Sequence, residues 1–235
     1  MFHIGDRGAG FAVGVEHRRY QGAFNPDPLR QTGESQDSPA FPVAASYRVN
    51  EAYGEFNFPV LASLSTSAAV RYSDYSTFGG DTTGKIGFRW QPLADLGIRG
   101  TYSKGLQVGV EVNNSAIPRI RLNAQLGWNV GDWQASWIVR YIHSVTEACS
   151  NAAVTPVPGC ESATDFHELK TTVYNDVQLE RKNAFTLSGL RLALGVNNLF
   201  GVDPPICYTC TLNGYDAGTY DLPGAFWNAR AIYKF

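Results

Sequence analysis

Helical periodicity is the first thing missing from this chain: almost no stretch repeats apolar residues at the three-to-four spacing of a helix. No run of about 18 apolar residues occurs either, which excludes a membrane-spanning helix. Charge is scarce, at 17% of residues, where a large soluble domain carries roughly a quarter. The formal net charge of -2 leaves no basic footprint for nucleic acid and no polybasic patch for a membrane surface. The opening "MFHIGDRGAGFAVG" lacks the charged start, apolar core and cleavage site of a secretory signal. If the mature protein is exported, its signal was removed or was never part of this sequence. What is plentiful is glycine (24 residues), aromatics (13%) and strict alternation. With 235 residues, the chain is long enough to form one all-β domain.

The clearest alternation is "GIRGTYSKGLQVGVEVN". One parity reads Ile98, Gly100, Tyr102, Lys104, Leu106, Val108, Val110, Val112; the other reads Arg99, Thr101, Ser103, Gly105, Gln107, Gly109, Glu111. That is far longer than an ordinary strand of about five or six residues. Ten such segments are predicted, near 8–22, 44–58, 63–76, 81–92, 95–113, 117–129, 132–147, 167–180, 187–200 and 223–235. Short turns ("PVLAS", "QPLAD", "VGD") separate one set of neighbours. Long loops separate most of the others: "NPDPLRQTGESQDSPAFP", "CSNAAVTPVPGCESATD" and "VDPPICYTCTLNGYDAGTYDLPG". An even strand count with short turns at one end and long loops at the other is the organisation of an outer-membrane barrel. Residues 1–7 read as an N-terminal tail and 8–235 as the barrel, with no internal boundary or repeat beyond the hairpin.

Alternation alone does not say which face meets which medium. A soluble sandwich or lipocalin-like barrel turns its apolar residues inward, and a membrane barrel turns them outward. Three features favour the membrane barrel. The polar parity carries many charges, among them Glu16, Arg18, Glu51, Glu55, Arg71, Lys85, Arg89, Arg99, Glu111, Arg121, Arg140, Glu168, Lys170 and Arg230, with basic groups in excess. The aromatics Trp90, Trp128, Trp133, Tyr233 and Phe235 fall beside short turns or the C-terminus, and Tyr72, Tyr141 and Trp227 toward the long loops, as interfacial girdles do. The apolar parity is rich in small residues such as Ala52, Gly54, Ala68, Ala229 and Ala231. A lipid-facing surface need only be apolar, whereas a packed core needs bulk and shape.

The four cysteines, Cys149, Cys160, Cys207 and Cys210, allow three pairings. Proximity favours one disulfide within each loop, formed in an oxidising compartment. The rival is a metal site, since "CYTC" has C-x-x-C spacing, but no second such pair or histidine pair accompanies it. An enzyme reading rests on His167, with Asp165 and Glu168 beside it at a long-loop end; a lone loop histidine is usually only solvated, and no catalytic residue, cofactor or metal is expected. "GAGFAVG" mimics a phosphate-binding loop but lies inside an alternating strand with no helix behind it.

"KIGFRWQPLADLGIRGTYSKG", "GDWQASWIVRYIHSVTEACS", "LRLALGVNNLFGVDPP" and "YDAGTYDLPGAFWNARAIYKF" resemble the C-terminal barrel strands of TonB-dependent outer-membrane receptors. The resemblance runs from about residue 8 to Phe235, and the "GVNNLF…DPP" run with a terminal aromatic is its most specific part. It implies a bacterial outer-membrane location, membrane lipid as the surroundings, and a parent function of energised uptake of a bulky ligand such as a siderophore or glycan. It also implies that Tyr233 and Phe235 form the assembly signal read by the barrel-assembly machinery. The departures set limits. The family's plug domain and TonB-contacting segment are not found, its barrels have about 22 strands, and "YSKG" runs into "LQVGVEVNNSAIPRIRLNAQLGW" rather than the usual "FRAP"-like stretch. The expectation is an internally shortened receptor barrel without TonB contact, monomeric, capable at most of passive permeation or ligand binding at its loops. A non-transporting scaffold or anchor is the alternative, and a loop-sited hydrolase the third reading. The predicted lumen is lined by Glu16, Arg18, Glu51, Glu55, Arg71, Arg89, Arg99, Glu111, Arg121, Arg140 and Arg230, and is expected to be narrow and largely filled, because about eight strands are just filled by side chains.

Overall fold

The computed structural model describes residues 2–4, 7–34, 36, 39–105, 118–149, 159–162, 164–208, 210, 214–222 and 224–234. Its strands are β1 (Phe2–Ile4), β2 (Arg7–Phe24), β3 (Val43–Leu61), β4 (Leu64–Tyr75), β5 (Gly79–Leu93), β6 (Leu96–Lys104), β7 (Ile120–Val130), β8 (Trp133–Ile142), β9 (Val145–Ala148), β10 (Phe166–Leu169), β11 (Thr172–Arg181), β12 (Leu190–Asn197) and β13 (Phe226–Tyr233). Ten of them correspond one for one to the alternating segments. With the short β1 folded back on β2, they make one antiparallel sheet in the order β1-β2-β3-β4-β5-β6-β7-β8-β11-β12-β13. Neighbours in sequence are thus neighbours in space, the meander that a period-two pattern with hairpin connections dictates.

Where a turn is tight, its chemistry is visible. Val130 pairs with Trp133 across the two residues Gly131 and Asp132, and Gly131 adopts φ 55, the left-handed backbone that two-residue hairpins require. The β2–β3 loop holds the helix α1 (Pro28–Thr32), capped by Asp27, which accepts the Leu29 N–H at 2.9 Å, and closed by Gly33 in the left-handed region. The starts of β2, β4, β6, β8 and β12 and the end of β13 lie at the short-turn end.

Two predicted segments are interrupted. The segment 132–147 divides into β8 and β9, and 167–180 into β10 and β11; the last rung shared with the large sheet is Thr172↔Ile142. Beyond it, β9 and β10 pair with each other as a separate ribbon. The reason is burial: Val145 and Leu169 leave the sheet to pack with Ile142, Tyr174, Cys207 and Tyr220, the larger apolar core of the described residues. Glu168 and Lys170, placed by parity on the polar face, therefore belong to the ribbon end and not to the sheet. Residues 2–4, read as tail, form β1. The long continuous strand expected over 95–113 is seen as β6 to Lys104; Leu106, Val108, Val110 and Glu111 lie outside the described residues.

The sheet does not close. Among the described residues no ladder joins β13 to β1 or β2. Among the described residues the ten long strands make an open, barrel-like wall and no enclosed lumen. Because β2 runs from the short-turn end and β13 runs toward it, the two edges have the antiparallel polarity that closure requires.

Candidate functional site

The registers sort every long strand into two faces. One row reads Ala12, Glu55, Ala69, Lys85, Ser103, Arg121, Ile142, Thr172; its neighbour on the other face reads Phe11, Phe56, Ala68, Ile86, Tyr102, Leu122, Tyr141, Val173. Glu16, Arg18, Glu51, Glu55, Arg71, Arg89, Arg99, Arg121, Arg140 and Arg230 all fall on the polar face. Of the lumen-lining set only Glu111 lies outside the described residues.

The apolar face is uncovered by protein. Val15 is 86% exposed, Trp227 75%, Leu194 65% and Ile86 63%. All five tryptophans stand on this face. Trp90, Trp128 and Trp133 are at the short-turn level, as is Tyr233, which pairs with Leu190. Phe235 lies outside the described residues. From Ala52 to Leu61 the β3 stripe spans nine residue steps, which is about 30 Å along the strand and about 23 Å along the normal at a tilt near 40°, close to the apolar band of a membrane barrel.

On the polar face the charges are held in clusters. Glu51, 5% exposed, accepts from Ser73 Oγ at 2.6 Å, pairs with Arg18, and lies 3.5 Å from Arg71; Arg18 also meets Glu16 at 3.2 Å. Here Tyr53 lays its ring across Gly14, where a Cβ would sit 2.5 Å from the ring, and Arg71 stacks on Tyr53 at 5.1 Å. Glycine at 14 is what lets the ring lie flat on the neighbouring strand. A second cluster joins Glu180 to Arg191 and to Arg230, the latter at 3.4 Å.

The third cluster ties sheet to loop. Arg140 donates from Nε to Asp176 Oδ2 at 3.0 Å and from Nη1 to Asp221 Oδ1 at 3.3 Å, and stands 4.9 Å from the Tyr174 ring. Asp176 also accepts the Asn198 N–H at 2.8 Å, and the Tyr174 hydroxyl accepts the Asp221 N–H at 3.2 Å. One guanidinium thus anchors both ends of the long β12–β13 connection. By contrast, Arg89 and Arg99 face each other directly. Arg99 donates to Gln125 at 2.6 Å, and neither forms an ion pair among the described residues. They flank a recess of about 250 Å³ on the polar face.

At the long-loop end both disulfides are present, Cys149–Cys160 with Cα atoms 5.3 Å apart and Cys207–Cys210 with 5.4 Å. The C-x-x-C pair is thereby used in a covalent bond. His167 places Nδ1 2.7 Å from Glu147 Oε1, and the same oxygen accepts the Tyr208 N–H at 2.9 Å. Glu147 is fully buried, and the Tyr208 ring lies 4.8 Å from His167. Asp165 serves its own turn, accepting from Ser162 N–H and Oγ at 2.8 and 3.0 Å. His167 thus stitches the ribbon to the Cys207–Cys210 loop, while Asp165 is engaged in its own turn.

Sequence reasoning missed Asp221, Glu147 and Arg181. Asp221 lies in a loop without periodicity. Glu147 falls on the apolar parity if 132–147 is read as one strand, and only the break after Ile142 resets that parity. Arg181 sits on the apolar face, stacked over Trp133 at 5.2 Å.

A single antiparallel layer of long strands, with most charges on one face and a largely apolar other face with aromatics at both margins, makes a barrel-like wall. Residues 2–115 match the family described as "TonB dependent receptor-like, beta-barrel". The fold over nearly the whole length agrees. The copper transporter OprC superposes with a TM-score of 0.61 at 13% identity, covering 99% of this chain and 38% of that one. The FrpB iron transporter from Neisseria meningitidis gives 0.55 at 15% identity, over 94% and 36%. The ferric-catecholate import receptor Fiu from E. coli K12 gives 0.54 at 16% identity, over 96% and 38%. The chain thus spans a little over a third of the length of these proteins. No curated protein matches it significantly.

Proposed function

We propose that this chain forms a barrel wall in the bacterial outer membrane, of the transport class to which its structural relatives belong. The observation that carries the reading is the segregation of faces, maintained in register through all ten long strands. A sheet one layer thick cannot be stable in water with its apolar face bare. In lipid the same face is the ordinary exterior of a barrel. The printed functions of the relatives, copper transport, iron transport and ferric-catecholate import, support passage or capture of a solute as the role. On the polar face, the basic residues not bound in clusters, Arg89 and Arg99 above all, favour an anionic solute. The disulfide-tied loop head stands where an external ligand would first be met. Membrane lipid and the barrel-assembly machinery are the partners in this reading, with Tyr233 contributing to the assembly signal.

The test is refolding of the chain into detergent, followed by heat-modifiable gel mobility and planar-bilayer recording. Where the edges β2 and β13 join in the membrane, steady single-channel steps with anion preference are expected. Inserted protein that stays silent would support the scaffold reading. Failure to associate with detergent or lipid would overturn the membrane reading altogether.

A further inference from the structure

The apolar face carries a groove of about 430 Å³ over β7, β8, β11, β12 and β13. Trp128, Trp137 and Trp227 wall it, Leu179 and Leu194 line it, and the small side chain of Ala135 leaves its floor open. Trp137 is held by its Nε1–H bond to Asn175 Oδ1 at 3.0 Å. The groove takes in two outward rungs running across the strands, Leu126-Trp137-Val177-Val196-Trp227 and Trp128-Ala135-Leu179-Leu194, the second being its edge toward the short-turn end. There the next outward-facing rung after Leu179↔Ala135 is Arg181↔Trp133. Arg181 is exposed and lies over the Trp133 ring. No described carboxylate pairs with it. At this end of β3 to β13, the outward positions of the other strands are apolar or aromatic: Leu64, Trp90, Leu96, Trp128, Val130, Leu190 and Tyr233.

An apolar groove with one guanidinium on the next outward rung, at the membrane interface, matches an anionic phospholipid in both parts. We propose that this groove is a specific site for an anionic phospholipid of the leaflet at the short-turn side, the inner leaflet for a barrel of this type. One acyl chain lies between Trp128, Trp137 and Trp227, and the phosphate is bound by Arg181. Arginine suits the role because its planar fork can bind a phosphate through two parallel bonds while its face stays on the indole. The site rests on the membrane reading given above.

The five tryptophans make the test direct, because all face lipid. The full chain is reconstituted in phosphatidylcholine vesicles containing a low fraction of dibrominated phosphatidylglycerol or, separately, dibrominated phosphatidylcholine, and tryptophan quenching is measured. The anionic bromolipid should quench at about fivefold lower mole fraction, the preference that one interfacial basic side chain confers. Arg181→Gln should abolish the preference and Arg181→Lys should retain most of it. Ala135→Phe, which fills the floor and leaves the charge in place, should weaken quenching by both lipids at low fraction. Equal quenching by the two bromolipids in the parent chain, or an undiminished preference in Arg181→Gln, overturns the site. Absence of quenching by either lipid overturns the membrane reading instead.

Discussion

Ile86 offers a decisive perturbation of the outward face. It lies at the middle of β5, four residues from Trp90 at the short-turn girdle, and is 63% exposed. Four residues are about 13 Å along a strand and, at a tilt near 40°, about 10 Å along the membrane normal. Half of a band some 25 Å tall is about 12 Å, so Ile86 stands close to the bilayer midplane. A guanidinium there costs about 2–4 kcal/mol, a 30-fold to several-hundred-fold loss in the folding equilibrium. The assay is reversible denaturant unfolding in lipid vesicles, with Ile86→Arg beside a second variant, Ile86→Trp. The pair separates lipid from a packed interior. Both surroundings reject arginine, but only a packed interior rejects the larger apolar ring, at about 1–3 kcal/mol for overpacking. The expected result is a large loss for arginine and less than about 0.5 kcal/mol for tryptophan. A neutral Ile86→Arg, or an Ile86→Trp as damaging as overpacking, would refute the assignment of this face to lipid.

Replacing Arg140 by Met leaves Asp176 and Asp221 without their shared donor. It should cost about 1–2 kcal/mol and loosen the β12–β13 connection, seen as faster amide exchange at Asn198 and Asp221. Gly14→Val should displace the Tyr53 ring and its stacked Arg71, costing about 1 kcal/mol; the shift in unfolding midpoint should vanish when Tyr53 is already alanine. Removing the Cys149–Cys160 link, which spans a sequence separation of 11, should take about 2–3 kcal/mol from the loop head. Proteolysis there should accelerate while β-sheet circular dichroism is unchanged, since the link lies outside the large sheet.

How much of this was legible beforehand follows from the range of the interactions involved. Every long strand was visible as an alternating segment because side chains point to opposite faces at each step, whatever the strand packs against. The polar-face residues Arg71, Arg99 and Arg140 could be placed together for the same reason. Glu147 could not, because the break that turns it inward depends on Val145 and Leu169 finding Cys207 and Tyr220 more than thirty positions away in the chain. Asp221 is recruited by an arginine 81 residues distant, and nothing local marks it. The cysteine pairs were favoured by proximity, and the structure contains both.

The sequence by itself determined the ten long strands, their order, and which of the residues in them share a face, since a meander of hairpins with period-two alternation leaves little freedom in any of these. Only the tertiary structure decided that the described strands form an open wall, that two of the predicted segments break to build a loop head, and which charges pair. Those outcomes depend on curvature and on contacts between distant segments, neither of which alternation encodes.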